Sequence, residues 1–533
     1  MPDQVRAILD YSGDDLIKRQ AQTGLSSALK RLETGSQPTP RSWFYETKKD
    51  PEDVLEPVIR KLSSMQDLKV ISEWDLSKES KYGPQGGAAP LSERLESFNE
   101  YFEHLSRPLI LQDPSWQRAK KRAIRELKLN GSGVPLSVKA VLERGIGDNK
   151  YNTNSGYPLF LKRKNPVALK EAMSDARIAI QDQFPCTLGS RATMGKTGKD
   201  ARNIFMAAMA VNVSGQCYQM KLQDYLRSLH LSFFLPWEGW DHVQKEISAQ
   251  WDGTLKFGAD YTKMDQHFNV YHGLEVYDVI KYYFKKAYWE NLKQTIIYVF
   301  HVPILTNLGY VDQEHAMPSG SEWTNFLETV WNYIFTLYLE EKYHLSFQSK
   351  MGIGDDQLWF IRGEWTQSRI DKLISLVISE FEAAGLPGNP EKQEVSMTKT
   401  GFLQRLCSSE WDGVDGKTRA AGVYSLVRNV TSQVFPERYH NERDWNADMF
   451  ALRCIMIAEN ANQHPLFKWY ILEYLAKANS NILEFVRKRD KEILNTQKHA
   501  KNIAGFLPTY NQEKADQSIL DFEAFKLLRT LVQ

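Results

Sequence analysis

Apolar positions change their period along the chain, and the changes mark elements. LKFGADYT, around Asp260, reads as a strand. LSFQSKMGIGDDQLWFI, around Asp355, is two apolar runs joined by a tight Gly-Asp-Asp turn, which predicts a β-hairpin. Between them Phe326, Val330, Ile334 and Leu337 fall at offsets of four, eight and eleven, one stripe of a 3.6-period helix. Ile370, Leu373, Ile374, Val377, Ile378 and Phe381 form another amphipathic stripe, stopped by Gly385 and Pro387. From about residue 440 the pattern is mainly helical, notably over 449–457, 466–475 and 519–528. Strand, helix, hairpin and helix in that order predict an α+β core: a small sheet with helices packed on one face.

Ahead of these elements lie segments of a different kind. KYGPQGGAAP, residues 81–90, is rich in Gly and Pro and is expected as a loop closing an N-terminal region. Residues 91–145 mix amphipathic helical patterns with basic patches, and 145–158 again reads as loop. No internal repeat and no long low-complexity tract interrupts the chain. Its 533 residues suffice for several sub-domains around a large core.

Composition changes this picture little. The formal net charge of +1 does not announce a nucleic-acid binder, although positive charge can be concentrated in a channel and balanced elsewhere. Local basic clusters occur at Arg118, Lys120, Lys121 and Arg122, at Lys162, Arg163 and Lys164, and at Arg487, Lys488 and Arg489; solvated faces are the ordinary reading of each. Aromatic residues reach 12%, which suits either a large core or surfaces on which bases stack. Cys186, Cys217, Cys407 and Cys454 are too scattered for a paired-cysteine zinc site or a disulfide framework, and are expected as buried thiols. The first residues, MPDQVRAILDYSGDD, carry acids where a signal peptide needs a basic end and an apolar run. No stretch approaches the roughly eighteen apolar residues of a membrane span, so a soluble, cytosolic protein is expected.

The informative residues are carboxylates. Asp260 and Asp265 stand five apart in GADYTKMDQHFN, and Asp355 and Asp356 occupy the hairpin tip. At the ends of neighbouring strands such charges repel and raise one another's pKa. Shared by two Mg²⁺ (or Mn²⁺) ions, which prefer oxygen ligands, the cluster becomes favourable and forms a clamp for in-line phosphoryl displacement. A lone Gly-Asp-Asp is a common turn, with roughly 0.1 occurrences expected by chance in a chain this long, so order and context must carry the argument.

In that context the chain resembles viral RNA-dependent RNA polymerases, in ordered motifs along more than half of its length. Asp260 and Asp265 resemble the first palm motif; Ser319-Gly320 with Thr324 and Asn325, in SGSEWTNFLETVWN, the second; and Gly354-Asp355-Asp356 the third. The helix ending at Gly385 followed by Lys392 is similar to the fourth, and Phe402-Leu403-Gln404-Arg405 to the fifth. Upstream, Arg191, Lys196, Lys199 and Arg202 in RATMGKTGKDARNIF resemble the basic fingers motif, and TNSGYP, residues 153–158, a template-guiding motif. Size and motif flavour are similar to the polymerases of picobirnaviruses, small double-stranded RNA viruses.

The resemblance implies a right-hand fold of fingers, palm and thumb, the palm a small antiparallel sheet with helices. Residues 1–90 would bridge fingers and thumb. Residues 91–254 would form the fingers, 255–274 and 315–412 the palm around a fingers insertion at 275–314, and 413–533 the thumb and C-terminal tail. Template-directed RNA synthesis for viral replication and transcription is the implied activity. Asp260, Asp355 and Asp356 would be metal ligands, and Lys392 a general acid for the leaving pyrophosphate. Arg191, Lys196, Lys199 and Arg202 would bind the triphosphate, with Gly195 and Gly198 letting the loop turn closely. Asp265, Ser319, Thr324 and Asn325 would bind the nucleotide and recognise its 2′-hydroxyl. Many members carry an asparagine four residues after the threonine, where this chain has Glu328. Thr153, Ser155, Gly156, Tyr157, Pro158, Gly320, Gln404 and Arg405 would contact template or product strand. Partners would be RNA, ribonucleoside triphosphates and a capsid protein, with the virion interior and host cytoplasm as location.

Two other readings compete. A reverse transcriptase would place a bulky aromatic about five residues after its first aspartate, where this chain has Asp265. A non-enzymatic RNA-binding or capsid-associated scaffold would be marked by loss of the aspartates. Residues 434–445, VFPERYHNERDW, offer Tyr439 and Trp445 as aromatic surfaces on which a first nucleotide could stack in unprimed initiation. The amphipathic segment from Ile519 could pack on the thumb or cover the channel.

Overall fold

The computed structural model describes residues 15–39, 42, 50–84, 86–193, 197–436, 444–503, 506–507 and 517–533. Its strands, in chain order, are β1 (Cys186–Arg191), β2 (Arg202–Met206), β3 (Thr254–Ala259), β4 (Ile304–Thr306), β5 (Gly309–Val311) and β6 (Phe347–Ile353). They continue with β7 (Asp356–Arg362), β8 (Glu394–Ser396), β9 (Lys399–Phe402), β10 (Arg405–Ser408) and β11 (Val423–Tyr424). Three sheets result, in the orders β2-β1-β4-β5, β6-β7-β3-β8 and β11-β10-β9.

The second sheet is the expected palm, and every pairing in it is antiparallel. Its central strand β7 carries Leu358, Trp359, Phe360 and Ile361, all buried. Trp359 and Ile361 join the main core with helices Thr324–Tyr343 and Gln367–Ala383, whereas Leu358 and Phe360 pack with Val243, Ile247 and Trp251. Helices therefore cover both faces, not one. The continuous apolar run of β7 is the reason, since alternation would have left one face for water.

Helix Thr324–Tyr343 corrects its sequence reading in the same way. The stripe of Phe326, Val330, Ile334 and Leu337 is present, but every residue from Phe326 to Leu339 is buried. Three of its polar members are satisfied by hydrogen bonds: Thr329 and Asn332 bond the hairpin, and Thr336 returns its hydroxyl to Tyr333 O. The first basic cluster is likewise structural. Lys120 lies 2.6 Å from Glu275, and Arg122 2.9 Å from Glu340, so the helix Pro114–Glu126 is fastened by ion pairs.

The N-terminal region touches both ends of the molecule. Helix Asp15–Thr34 sets Leu25 against Phe160 and Leu305, and helix Pro51–Ser63 sets Val54, Leu55, Val58 and Leu62 into the helical C-terminal core. Asp75 fixes that attachment by accepting from the backbone of Leu426 and Val427 at the start of helix Leu426–Val434.

In the C-terminal part, helices Ala447–Ala458 and Asp490–Lys501 are among those formed. The segment expected as one helix from Ile519 is a single 3-10 turn, Ile519–Asp521, and then a short α-helix, Glu523–Arg529, separated by extended Phe522. It buries Ala524, Phe525 and Leu528 in the same core, so it packs on the C-terminal helices. Trp445 is also 5% exposed there, against Phe506, and is not free to stack a nucleotide; Tyr439 lies outside the described residues. All four cysteines are buried, and none is in a disulfide. Among the described residues no helix is long and apolar enough to cross a membrane.

Candidate active site

Antiparallel pairing of β3 with β7, Ala259 opposite Gln357, brings the end of one strand beside the start of the other. Asp260 follows β3 directly, and Asp355 and Asp356 stand at the tip between β6 and β7, where Ile353 pairs with Asp356. The tip is therefore the two residues Gly354 and Asp355, with Asp356 opening β7. Gly354 has φ 58°, and a Cβ there would lie 3.2 Å from Asn325 Nδ2 and 3.5 Å from Glu328 Oε2, so the turn suits glycine on both counts.

The two carboxylate-bearing segments are tied together through helix Thr324–Tyr343. Asn332 accepts from the Tyr261 hydroxyl at 2.8 Å and donates to Gly354 O at 2.7 Å. The Gly354 N–H donates to Thr329 Oγ1 at 2.8 Å. On the other side Gln393 grips the backbone of Asp260, accepting from its N–H at 3.1 Å and donating to its carbonyl at 2.8 Å. Lys392, next to Gln393 and exposed, is near enough to draw the Asp260 carboxyl downward against burial. None of Gln393, Thr329 or Asn332 was singled out from sequence, because buried amides and hydroxyls carry no pattern until the helix is seen against the hairpin.

The carboxylates are electrostatically strained. Asp355 and Asp356 present exposed surface yet stand amid protein, and burial raises both carboxyls. Neighbouring charge adds to this: Asp265 and Asp260 on Asp355, and Asp355 and Asp260 on Asp356, which is pushed up to about 7. No protein cation forms an ion pair with any of the three among the described residues. Nor, among the described residues, is any group of three His, Cys, Asp or Glu side chains already drawn to metal-binding geometry. An oxygen-only donor set with excess negative charge fits hard divalent cations.

Opposite the carboxylates runs the hairpin β1–β2. Arg191 and Arg202 are direct cross-strand partners, a like-charge pairing that an anion would relieve. Arg202 is close enough to Asp355 to lower its carboxyl. Lys199, exposed, lies 3.7 Å from Glu93, and Gly198 O accepts from Ala89 N–H, so the N-terminal region lines this loop; Gly195 and Lys196 lie outside the described residues. Arg94, almost fully buried, donates to Ala201 O and Asn203 Oδ1 and anchors the same strand.

From Asp260 the chain passes through Lys263, at φ 54°, into the single helical turn Met264–His267 that presents Asp265. Asp265 accepts a short hydrogen bond from the Ser319 hydroxyl, and burial together with Asp265 raises the nearby Glu328 carboxyl. Tyr101 stands beside the pair, its hydroxyl pushed upward by burial and by Asp265. Thr324 donates to Pro318 O, closing the loop that holds Ser319. The Ser319 carbonyl accepts from Phe205 N–H of β2, and a Cβ on Gly320 would stand 2.7 Å from Phe205 O. Asn325 is elsewhere: its Oδ1 accepts from Trp237 at 3.0 Å and its amide nitrogen faces Gly354.

Residues 153–158 lie against the other end of β2. Ser155 O accepts from Met209 N–H, and Ser155, Gly156 and Pro158 are buried while Thr153 is exposed. Tyr157 is half-buried against Phe184. Gln404 occupies the β9–β10 turn and accepts from Arg428 at 2.9 Å. Arg405 is 7% exposed, with its guanidinium 4.3 Å over the Trp240 ring, and lines a cavity of about 490 Å³ with Gln244, Lys245 and Gln463.

No protein-family model matches the chain. It is 25% identical to a potential RNA-dependent RNA polymerase of human picobirnavirus (strain Human/Thailand/Hy005102/-), over 86% of each chain. The crystal structure of the RNA-dependent RNA polymerase of a human picobirnavirus is similar with a TM-score of 0.79, at 21% identity over 95% of this chain and 97% of that one. That polymerase's insertion loop deletion mutant gives 0.73, at 23% identity over 96% and 97%. Motif order, sheet topology and these likenesses agree: the chain has the right-hand polymerase fold and is similar over most of its length to the RNA-dependent RNA polymerases of picobirnaviruses.

Proposed function

We propose that the chain is an RNA-dependent RNA polymerase that copies an RNA template from ribonucleoside triphosphates by two-metal phosphoryl transfer, serving viral genome replication and transcription. The observation that carries this reading is the convergence of Asp260, Asp355 and Asp356 from two paired strands, facing the Arg191–Arg202 pair. Asp260, Asp355 and Asp356 would hold two Mg²⁺ or Mn²⁺ ions. When bound, such ions lower the pKa of a primer 3′-hydroxyl and balance the charge of the triphosphate.

The chain's own groups do the rest. Arg191 and Arg202, with Lys196 and Lys199, bind and orient the triphosphate, the guanidinium forks suiting phosphate oxygens. Asp265, held by Ser319, accepts a hydrogen bond from the 2′-hydroxyl. Lys392 Nζ donates its proton to the leaving pyrophosphate oxygen. Residues 153–158 and Gly320 guide the template. In domain terms, 91–254 act as fingers, 255–274 and 315–412 as palm around the insertion 275–314, 413–533 as thumb, and 1–90 as the strap between fingers and thumb. Work inside the virion and in host cytoplasm, beside a capsid protein, follows from this role.

The test is labelled nucleotide incorporation on single-stranded RNA with Mg²⁺ or Mn²⁺, comparing the protein with an Asp355→Ala/Asp356→Ala variant. Ribonucleotide incorporation that vanishes in the variant is expected. Preferential use of deoxyribonucleotides would indicate a reverse transcriptase, and RNA binding without incorporation under either metal would indicate a scaffold.

A further inference from the structure

Helix Trp240–Gln250 packs through Val243 and Ile247 on the face of the β6-β7-β3-β8 sheet opposite helix Thr324–Tyr343. Its other side presents Asp241, Gln244, Lys245 and Ser248, four apart in two pairs, to the cavity of about 490 Å³. Arg405 of β10 and, beyond helix Ala447–Ala458, Asn462 and Gln463 complete the wall. The volume falls in the range of small-molecule sites, about 300–1,000 Å³. The wall is held rigid. Gln244 accepts from Gly422 N–H at 2.7 Å and donates to Ser248 Oγ at 3.1 Å. The Trp240 ring lies so close on Gly422 that a Cβ there would stand 2.2 Å from its Cζ2. Arg405, 7% exposed, lays its guanidinium 4.3 Å over the same ring, so the plane of the fork is set before any ligand arrives. Two cations, Arg405 and Lys245, face one acid, Asp241, which favours an anion. Lys245 is exposed and forms no ion pair among the described residues, not even with Asp241 one turn before it. The Asn462 amide nitrogen is taken by Glu459 and the Gln463 amide oxygen by Val414 N–H. Asn462 Oδ1 and Gln463 Nε2 have no hydrogen-bond partner among the described residues, so one acceptor and one donor stand ready at the same wall.

We propose that this cavity is a binding site for a small phosphate-bearing ligand of mononucleotide size, its phosphate held by Arg405 and Lys245 and its remaining polar edge by Asn462 and Gln463. Arginine meets phosphate oxygens with a planar fork and lysine with a point charge, so the two cations divide the task. The donor and acceptor amides match the mixed edge of a nucleobase. Since helix Trp240–Gln250, β10 and residues 462–463 all contribute to the wall, the bound ligand fastens the C-terminal helices to the sheet. None of these residues belongs to the carboxylate cluster or to the Arg191–Arg202 pair, and the inference stands apart from the polymerase reading. It gives Arg405, which the motif resemblance places on an RNA strand, a different ligand.

The experiment titrates the full chain with AMP, inorganic phosphate and adenosine by calorimetry, without divalent cations so that nucleotide is not drawn to the carboxylates. The same titrations are made on Lys245→Ala, Arg405→Met and Asp355→Ala/Asp356→Ala. One AMP per chain is expected, with adenosine and inorganic phosphate each at least about tenfold weaker, and with a rise in melting temperature on AMP addition. Lys245→Ala should weaken AMP about fivefold and Arg405→Met more than about tenfold, whereas the double aspartate variant binds as the unaltered protein does. No saturation by AMP up to about 10 mM overturns the inference. So does unchanged affinity in Lys245→Ala, an exposed position that decides alone should Arg405→Met not fold. Inorganic phosphate binding as tightly as AMP overturns the mononucleotide reading. Displacement of AMP by a single-stranded RNA of about ten nucleotides assigns the cavity to the path of the RNA and overturns the proposal as well.

Discussion

Asn332 bridges the two carboxylate-bearing segments, and replacing it with leucine tests that arrangement. The side chain is fully buried and makes two hydrogen bonds, from Tyr261 OH at 2.8 Å and to Gly354 O at 2.7 Å. Leucine has the same branched shape, so no cavity opens, and the loss is that of the acceptor for the Tyr261 hydroxyl and of the donor to the Gly354 carbonyl. Each costs about 1–3 kcal/mol when buried. Because the Gly354 N–H keeps its bond to Thr329, the turn does not detach, and a total of about 2–4 kcal/mol is expected. Urea unfolding followed by tryptophan fluorescence reads this directly. Adding Tyr261→Phe should cost little more, since the phenol that had lost its acceptor is removed with it, and the double variant should fall short of the summed singles by about 1 kcal/mol or more. Nucleotide incorporation should drop at least about a hundredfold in Asn332→Leu, because a shift near 1 Å between Asp260 and Asp355 misplaces reacting groups. A loss of stability below about 0.5 kcal/mol, or strict additivity with Tyr261→Phe, would refute the claim that this amide carries the link.

Two further outcomes follow from the electrostatics. Asp356 is raised from its ordinary 3.8 to about 7, so its folded form holds a proton that the unfolded chain has released. The stability this contributes is full below about 3.8 and is lost as pH rises through 7. Asp356→Asn should remove that loss, stabilising the metal-free protein at pH 8 by about 1–2 kcal/mol after solvent screening of the exposed carboxyl, while abolishing incorporation; melting curves at pH 5 and 8 without divalent cations check it, and equal effects at both would count against it. Asp75, fully buried, accepts from Ser425 Oγ at 2.5 Å and from Leu426 and Val427 N–H at 2.8 and 3.1 Å, with His464 Nε2 at 3.2 Å. Asp75→Ala should cost about 3 kcal/mol and free the N-terminal segment for limited proteolysis, an effect measured by unfolding and by the time course of cleavage.

Sequence alone determined the local elements and the order of the chemistry. The strand before Asp260, the hairpin at Asp355 and the helix ending near Gly385 were legible because each depends on short-range period and on turn residues whose backbone demands are local. The same holds for the ordered acidic and basic motifs, which are strings. Tertiary structure decided what touches what. That β7 is buried on both faces depends on helix Trp240–Gln250 returning to the sheet, which its own residues do not announce. That Trp445 belongs to the C-terminal helical core, and not to a stacking surface, depends on Phe506 sixty-one residues later. Above all, Asn325 and Glu328 are three residues apart on one helix. Only the arrival of Asp265 on one side and of Gly354 and Trp237 on the other decides which of them comes to lie beside Asp265. Long-range contact of this kind is written in no local period, because the free energy that selects it belongs to the assembled core.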